Sequence, residues 1–106
     1  MNLAIGVLAC LALSTALPSQ TITGSIVGSV VDSSGASVVG ASVTATLTRT
    51  GVERVIKTDE RGSFVVTGLQ PGVYDLAVSL SGFKKLEQKG LALSAQEVLP
   101  VGTLTL

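Results

Sequence analysis

From Ser42 the chain reads Ser-Val-Thr-Ala-Thr-Leu-Thr-Arg, a strict alternation of apolar and hydroxyl-bearing side chains. In an extended strand successive side chains point to opposite faces. Val43, Ala45 and Leu47 therefore share one face, and Ser42, Thr44, Thr46 and Thr48 the other, as in a half-buried antiparallel strand. The pattern returns at residues 72–80, where Tyr74, Leu76, Val78 and Leu80 fall on one side and Asp75 and Ser79 on the other. Residues 63–68 put Phe64 and Val66 inward, and residues 53–59 form a shorter strand carrying Val55. Residues 24–32 are apolar on parts of both faces, as a covered strand would be. Leu104 and Leu106 alternate with Thr103 and Thr105. No window of eleven residues carries a convincing helical stripe, so the chain is expected to be all-β.

The segments between these strands are made of turn residues. Asp32-Ser-Ser-Gly-Ala, Arg49-Thr-Gly-Val-Glu, Asp59-Glu-Arg-Gly-Ser and Ser81-Gly-Phe each supply a glycine at a reversal. Pro71 and Gly72 occupy what reads as the centre of a type II turn, with proline fixing φ and glycine accepting a positive one. Strands at this spacing, with this punctuation, predict an antiparallel sandwich of about seven strands.

The 106 residues suffice for one domain, and seven Lys+Arg balance seven Asp+Glu. A nucleic-acid partner is not expected, because binding needs clustered cations that displace counterions. The first charged side chain is Asp32. Ahead of it, residues 3–13 form an unbroken apolar run, shorter than the ~20 residues a bilayer-spanning helix needs and of the length of a signal-peptide core. Residues 1–20 are accordingly expected to be a signal peptide, although no Lys or Arg precedes the run. A buried first element and a membrane anchor are the alternatives. Cys10, the only cysteine, lies inside that run in a Val-Leu-Ala-Cys segment that loosely resembles a lipoprotein cleavage box. The domain is then residues 21–106, without a disulfide. A domain of this size buries roughly 60–70% of the surface its unfolded chain exposes, which allows one modest core and no deep substrate cavity.

Two stretches carry a resemblance: Gly28-Ser-Val-Val-Asp-Ser-Ser-Gly-Ala-Ser-Val-Val-Gly-Ala-Ser-Val43, and Thr58-Asp-Glu-Arg-Gly-Ser-Phe64 followed by Leu69-Gln-Pro-Gly-Val-Tyr74 and Gly82-Phe83. In this order and at this spacing they resemble the carboxypeptidase regulatory-like domain, over about residues 24–106. The resemblance implies a transthyretin-like, Ig-like sandwich, often grouped with carbohydrate-binding-like folds. Such domains also form the N-terminal extension of bacterial TonB-dependent outer-membrane receptors, which the segment from Gly82 to Leu106 resembles in particular. The plug and barrel of such receptors have no counterpart in these residues.

The acidic turn Thr58-Asp59-Glu60-Arg61-Gly62 reads as a connection between strands, with Asp59 bonding nearby backbone N–H groups. The competing reading is a calcium site reinforced by Glu53 and Asp32, but a divalent cation of this kind wants six or more oxygens. With no histidine in the chain, Ser-His-Asp and Cys-His arrangements and histidine-ligated zinc are excluded. A Ser-Lys pair is the remaining nucleophile, yet Lys57, Lys84, Lys85 and Lys89 read as solvated charges. Asn2 is the only asparagine, so the domain itself cannot form a Lys–Asn isopeptide. No catalytic residue, metal or cofactor is expected.

Binding is the remaining class of function. Phe64 and Tyr74 point inward and tryptophan is absent, which leaves Phe83 as the one ring free to serve as a sugar platform. Residues 83–90, with Lys84, Lys85 and Lys89, read as a strand edge where lysines either prevent aggregation or meet an acidic partner. Phe83, Lys84, Lys85 and Lys89 are thus the candidate contact residues. The expected role is a non-enzymatic protein-interaction module of the cell envelope, exported to the periplasm or outer membrane or secreted. The alternative is an extracellular carbohydrate-binding or adhesive module. The mature domain is not expected to span a membrane.

Overall fold

A computed structural model of the chain describes residues 22–106; the expected signal peptide and Cys10 lie outside them. Seven strands follow in chain order: β1 (Gly24–Val31), β2 (Ser42–Leu47), β3 (Glu53–Lys57), β4 (Ser63–Leu69), β5 (Gly72–Ser79), β6 (Leu86–Leu93) and β7 (Val98–Thr105). They form a three-stranded sheet ordered β4-β1-β7 and a four-stranded sheet ordered β3-β2-β5-β6. No helix among the described residues is long and apolar enough to cross a membrane.

Four of the five strand pairings are antiparallel, and the fifth, β1 with β7, is parallel. Chain direction explains the departure. Seven strands leave six connections, and if each reverses the chain, the first and last strands run the same way. As neighbours they can only pair in parallel. β1 lies at the centre of its sheet, in keeping with its apolar character on both faces.

The alternation in the sequence sets what is buried. Val43, Ala45 and Leu47 of β2 face Phe64 and Val66 of β4, Tyr74, Leu76 and Val78 of β5, and Ile26 and Val30 of β1 in one hydrophobic core. On β3 the inward residue is Ile56, which packs on that core and pairs with Val43, whereas Val55 stands 60% exposed opposite Thr44. None of the chain's charged residues falls in β1, β4 or β7. The outer face of that sheet carries an uncharged row of Val65, Val27 and Pro100 in register.

Three of the pairings contain a bulge of one design. Thr67-Gly68 stands opposite Ser25, Lys89-Gly90 opposite Asp75, and Val101-Gly102 opposite Gly28. In each, the glycine takes a left-handed φ, between 69° and 77°, and the extra residue bends and twists its strand.

The Pro71-Gly72 connection differs from expectation. Gly72 opens β5 with φ 154°, far from the roughly +80° that the third residue of a type II turn adopts. The Gln70 carbonyl instead accepts a hydrogen bond from the Tyr74 hydroxyl at 2.6 Å. This is the tyrosine-corner arrangement of Ig-like sandwiches, which ties a strand's start to the preceding link. The type II geometry fits Leu80-Ser81-Gly82-Phe83, where the Phe83 amide donates to the Leu80 carbonyl at 3.0 Å and Gly82 has φ 89°.

Candidate functional site

The acidic turn is a structural joint, and the chain contains it twice. In residues 59–63 the Asp59 Oδ1 accepts the amides of Arg61 and Ser63, each at 2.9 Å. The Gly62 amide donates to the Asp59 carbonyl, and the Asp59 amide to the Ser63 carbonyl. Residues 32–36 repeat this bond for bond: Asp32 Oδ1 accepts the amides of Ser34 at 2.9 Å and Ala36 at 3.1 Å, Gly35 donates to Asp32, and Asp32 to Ala36. The Ser34 hydroxyl adds a further bond to Asp32 at 2.5 Å. These donors, the Ser34 hydroxyl foremost and then the Ala36 and Ser34 amides, hold the Asp32 carboxyl below the usual carboxylate range. Among the described residues no three Asp, Glu, Cys or His side chains gather as metal ligands.

Thr58, at the head of the same segment, is a buried polar residue, 5% exposed. Its hydroxyl donates to the Val38 carbonyl at 2.6 Å and accepts the Ala41 amide at 3.0 Å. The threonine therefore clamps the Val38–Ala41 stretch between β1 and β2 to the end of β3, and its role is architectural.

The predicted contact residues lie at the start and along the edge of β6. Phe83 is 43% exposed in the turn from β5, while Phe64 and Tyr74 are buried, so Phe83 is the one exposed ring among the described residues. Lys85 and Lys89 both reach Glu87, at 3.5 and 3.8 Å. Together with Thr46, Asp75 and Ala77 these three side chains border a shallow depression of about 270 Å³. Lys84 and Phe83 stand outside it. Glu87 was not singled out from sequence, although its spacing of two from both lysines puts all three on one side of an extended strand.

A second feature escaped the sequence. Leu47, Val52, Leu69, Gln70, Tyr74, Gly68 and Arg54 line a cleft of about 110 Å³ where β3 and β4 edge their respective sheets. Arg54 Nη2 donates to the Gly68 carbonyl at 3.2 Å, so the guanidinium bridges the two sheets across this open flank. Burial raises the Tyr74 phenol above its ordinary pKa, and the nearby charge of Arg54, the Gln70 bond and Arg49 oppose that shift in part.

Solved structures share this fold at low identity. The dioxygenase domain of a dioxygenase–carbohydrate-binding protein fusion from Streptomyces sp. SirexAA-E superposes with TM-score 0.60 at 12% identity, covering 84% of each chain. The TIE protein of Bacillus anthracis gives 0.58 at 19%, covering 79% of this chain and 16% of its own. A structure from Bacteroides uniformis described as a candidate carbohydrate-binding protein gives 0.54 at 19%, covering 73% and 39%. The chain spans only 38%, 44% and 16% of the length of three of the solved proteins it matches, and at these identities the likeness concerns the fold. No curated protein matches significantly. The model of the carboxypeptidase regulatory-like domain matches residues 25–106, from the second residue of β1 to the end of the chain and including both Asp-x-x-Gly turns. The chain belongs to the carboxypeptidase regulatory-like domain family.

Proposed function

We propose that the domain is a non-enzymatic protein-interaction module of the bacterial cell envelope, exported by its N-terminal apolar segment, and the N-terminal domain or a relative of that of a TonB-dependent receptor. The observation that carries the interaction reading is the edge of β6. Among the described residues it has no strand on its outer side; Lys85 and Lys89 reach Glu87 there, with Asp75 of β5 beside them, Lys84 preceding the strand, and Phe83 exposed at its start. Three lysines against Glu87 and Asp75 leave this edge one net positive charge, and with its open backbone it suits an acidic extended segment of an envelope protein that adds itself to the sheet. The envelope and receptor assignments are supported by the resemblance of Gly82–Leu106 to receptor extensions and by the apolar leader.

Carbohydrate binding is the second reading, favoured by the Bacteroides uniformis likeness and limited by the single exposed ring. Residues 21–106 immobilised and exposed to periplasmic and envelope extract test the first reading. A partner retained by the native domain and lost with Lys84→Glu, Lys85→Glu and Lys89→Glu combined supports it. Equal retention by both forms, or retention on polysaccharide that depends on Phe83 alone, overturns it.

A further inference from the structure

The cleft on the β3/β4 flank, remote from the β6 edge in the sheet order, has the makings of a ligand site. Arg54 pairs in register with Ala45, whose side chain is fully buried, so Arg54 leaves β3 on its core-facing side. Because β3 is an edge strand, the side chain runs out across the gap between the sheets and does not enter the core. Gly68 leaves room for it: a Cβ at Gly68 would stand 3.0 Å from Arg54 Nη2.

The guanidinium has five N–H donors in a planar fork, of which the Gly68 carbonyl engages one nitrogen. Among the described residues no carboxylate lies within ion-pair distance of it, and none lines the cleft. The walls behind it are apolar: Leu47, Leu69 and the ring of Tyr74 are each at most 3% exposed, and Val52 forms the lip.

We propose that this cleft binds a compact organic carboxylate, its apolar body against the exposed side chain of Val52 and over the floor formed by Leu47, Leu69 and Tyr74, and its carboxylate on the Arg54 fork. An apolar cavity of roughly 150 Å³ accepts benzene. This one holds about 110 Å³ and opens to solvent, so a ring-sized body enters in part and the charged group stays at the mouth. Arginine favours bidentate pairing with a carboxylate, and a second cation, Arg49, lies near enough to influence Tyr74.

Tyr74 is the only tyrosine of a chain without tryptophan, so its fluorescence reports the cleft alone. Benzoate, its neutral isostere benzamide, and glucuronate are titrated separately into residues 21–106, with Gly68 and Gln70 amide shifts followed by NMR. Benzoate is expected to change the Tyr74 signal and both amides at least tenfold more tightly than benzamide. Arg54→Gln is expected to weaken benzoate by tenfold or more while its NMR spectrum remains that of the folded domain, and Arg54→Lys by less. Equal binding of benzamide, unchanged benzoate affinity in Arg54→Gln, or no response to benzoate overturns the proposal. Tighter binding of glucuronate than of benzoate overturns the apolar body and assigns the fork to a sugar acid.

Discussion

The Tyr74 hydroxyl donates to the Gln70 carbonyl at 2.6 Å, across the link between β4 and β5. The ring is buried between the sheets while the hydroxyl reaches the link between β4 and β5, so one side chain both fills the core and fixes how the chain passes from one sheet to the other. Tyr74→Phe keeps the packing and removes the bond. A net loss of about 1 kcal/mol is expected, since the Gln70 carbonyl lies beside an open cleft where water can replace the hydroxyl in part. Urea unfolding of both forms measures it, and equal midpoints would show the corner to be held by packing alone.

Alkaline pH addresses the same hydroxyl. Burial raises the Tyr74 pKa in the folded state above the value near ~10 of an unfolded tyrosine. The sign follows: the neutral phenol's contribution is complete below that unfolded value and is lost as pH rises through the higher folded one. With a single tyrosine in the chain, phenolate absorbance titrates this group alone. The native midpoint is expected to lie above the midpoint in urea.

Asp32 gives the opposite dependence. Its folded pKa is lowered, first by the Ser34 hydroxyl and then by the Ala36 and Ser34 amides. The stabilisation is therefore present above the unfolded aspartate value of roughly 3.9 and is lost as pH falls through the lower folded one. Carboxyl NMR should find Asp32 titrating below a free aspartate, and Ser34→Ala should move it back upward. An Asp32 midpoint unaffected by Ser34→Ala would contradict the assigned cause.

Thr58→Val should be costly for its size. It is close to isosteric, but it strips partners from the Val38 carbonyl and the Ala41 amide at a buried position. Leaving such groups unsatisfied costs about 1–3 kcal/mol. Thr58→Ser retains the hydroxyl and should lose markedly less. Thermal melts of the pair separate the hydrogen bonds from the methyl group, and a serine variant as weak as the valine variant would assign the role to packing.

What the sequence made legible was what a period of two can encode. Val43, Ala45 and Leu47, or Tyr74, Leu76 and Val78, announce their buried face by alternation, and the structure buries all six. Where alternation is ambiguous the reading weakens. In Glu53-Arg-Val-Ile-Lys both Val55 and Ile56 are apolar, and the partner strand decides which turns inward. The three Gly bulges each shift the period by one residue, which obscures β6 and the entry to β7. The parallel pairing of β1 with β7 and the Arg54 cleft depend on which strands become edges, a property of topology that no local pattern records. Thr58 was readable only as turn chemistry, because its two partners lie 17 and 20 residues away.

The duplicated turn allows steric and conformational costs to be separated within one molecule. Gly35 and Gly62 hold equivalent positions, with φ of 87° and 73°, and both make the same backbone bond to their aspartate. A Cβ at Gly35 would meet nothing within 4 Å, whereas at Gly62 it would stand 2.5 Å from the Val30 carbonyl oxygen. Gly35→Ala should then cost only the left-handed backbone penalty, about 1–2 kcal/mol. Gly62→Ala adds the displacement of β1 from the turn, a further ~1–3 kcal/mol by analogy with overpacked interiors. The Val30 amide donates to the Gly62 carbonyl at 2.7 Å, so the strand cannot retreat without losing that bond as well. Denaturant melts of the two alanine variants measure the difference. Equal losses would mean that β1 yields freely at Val30, and that the turn at Gly62 is joined to the core less tightly than its contacts imply.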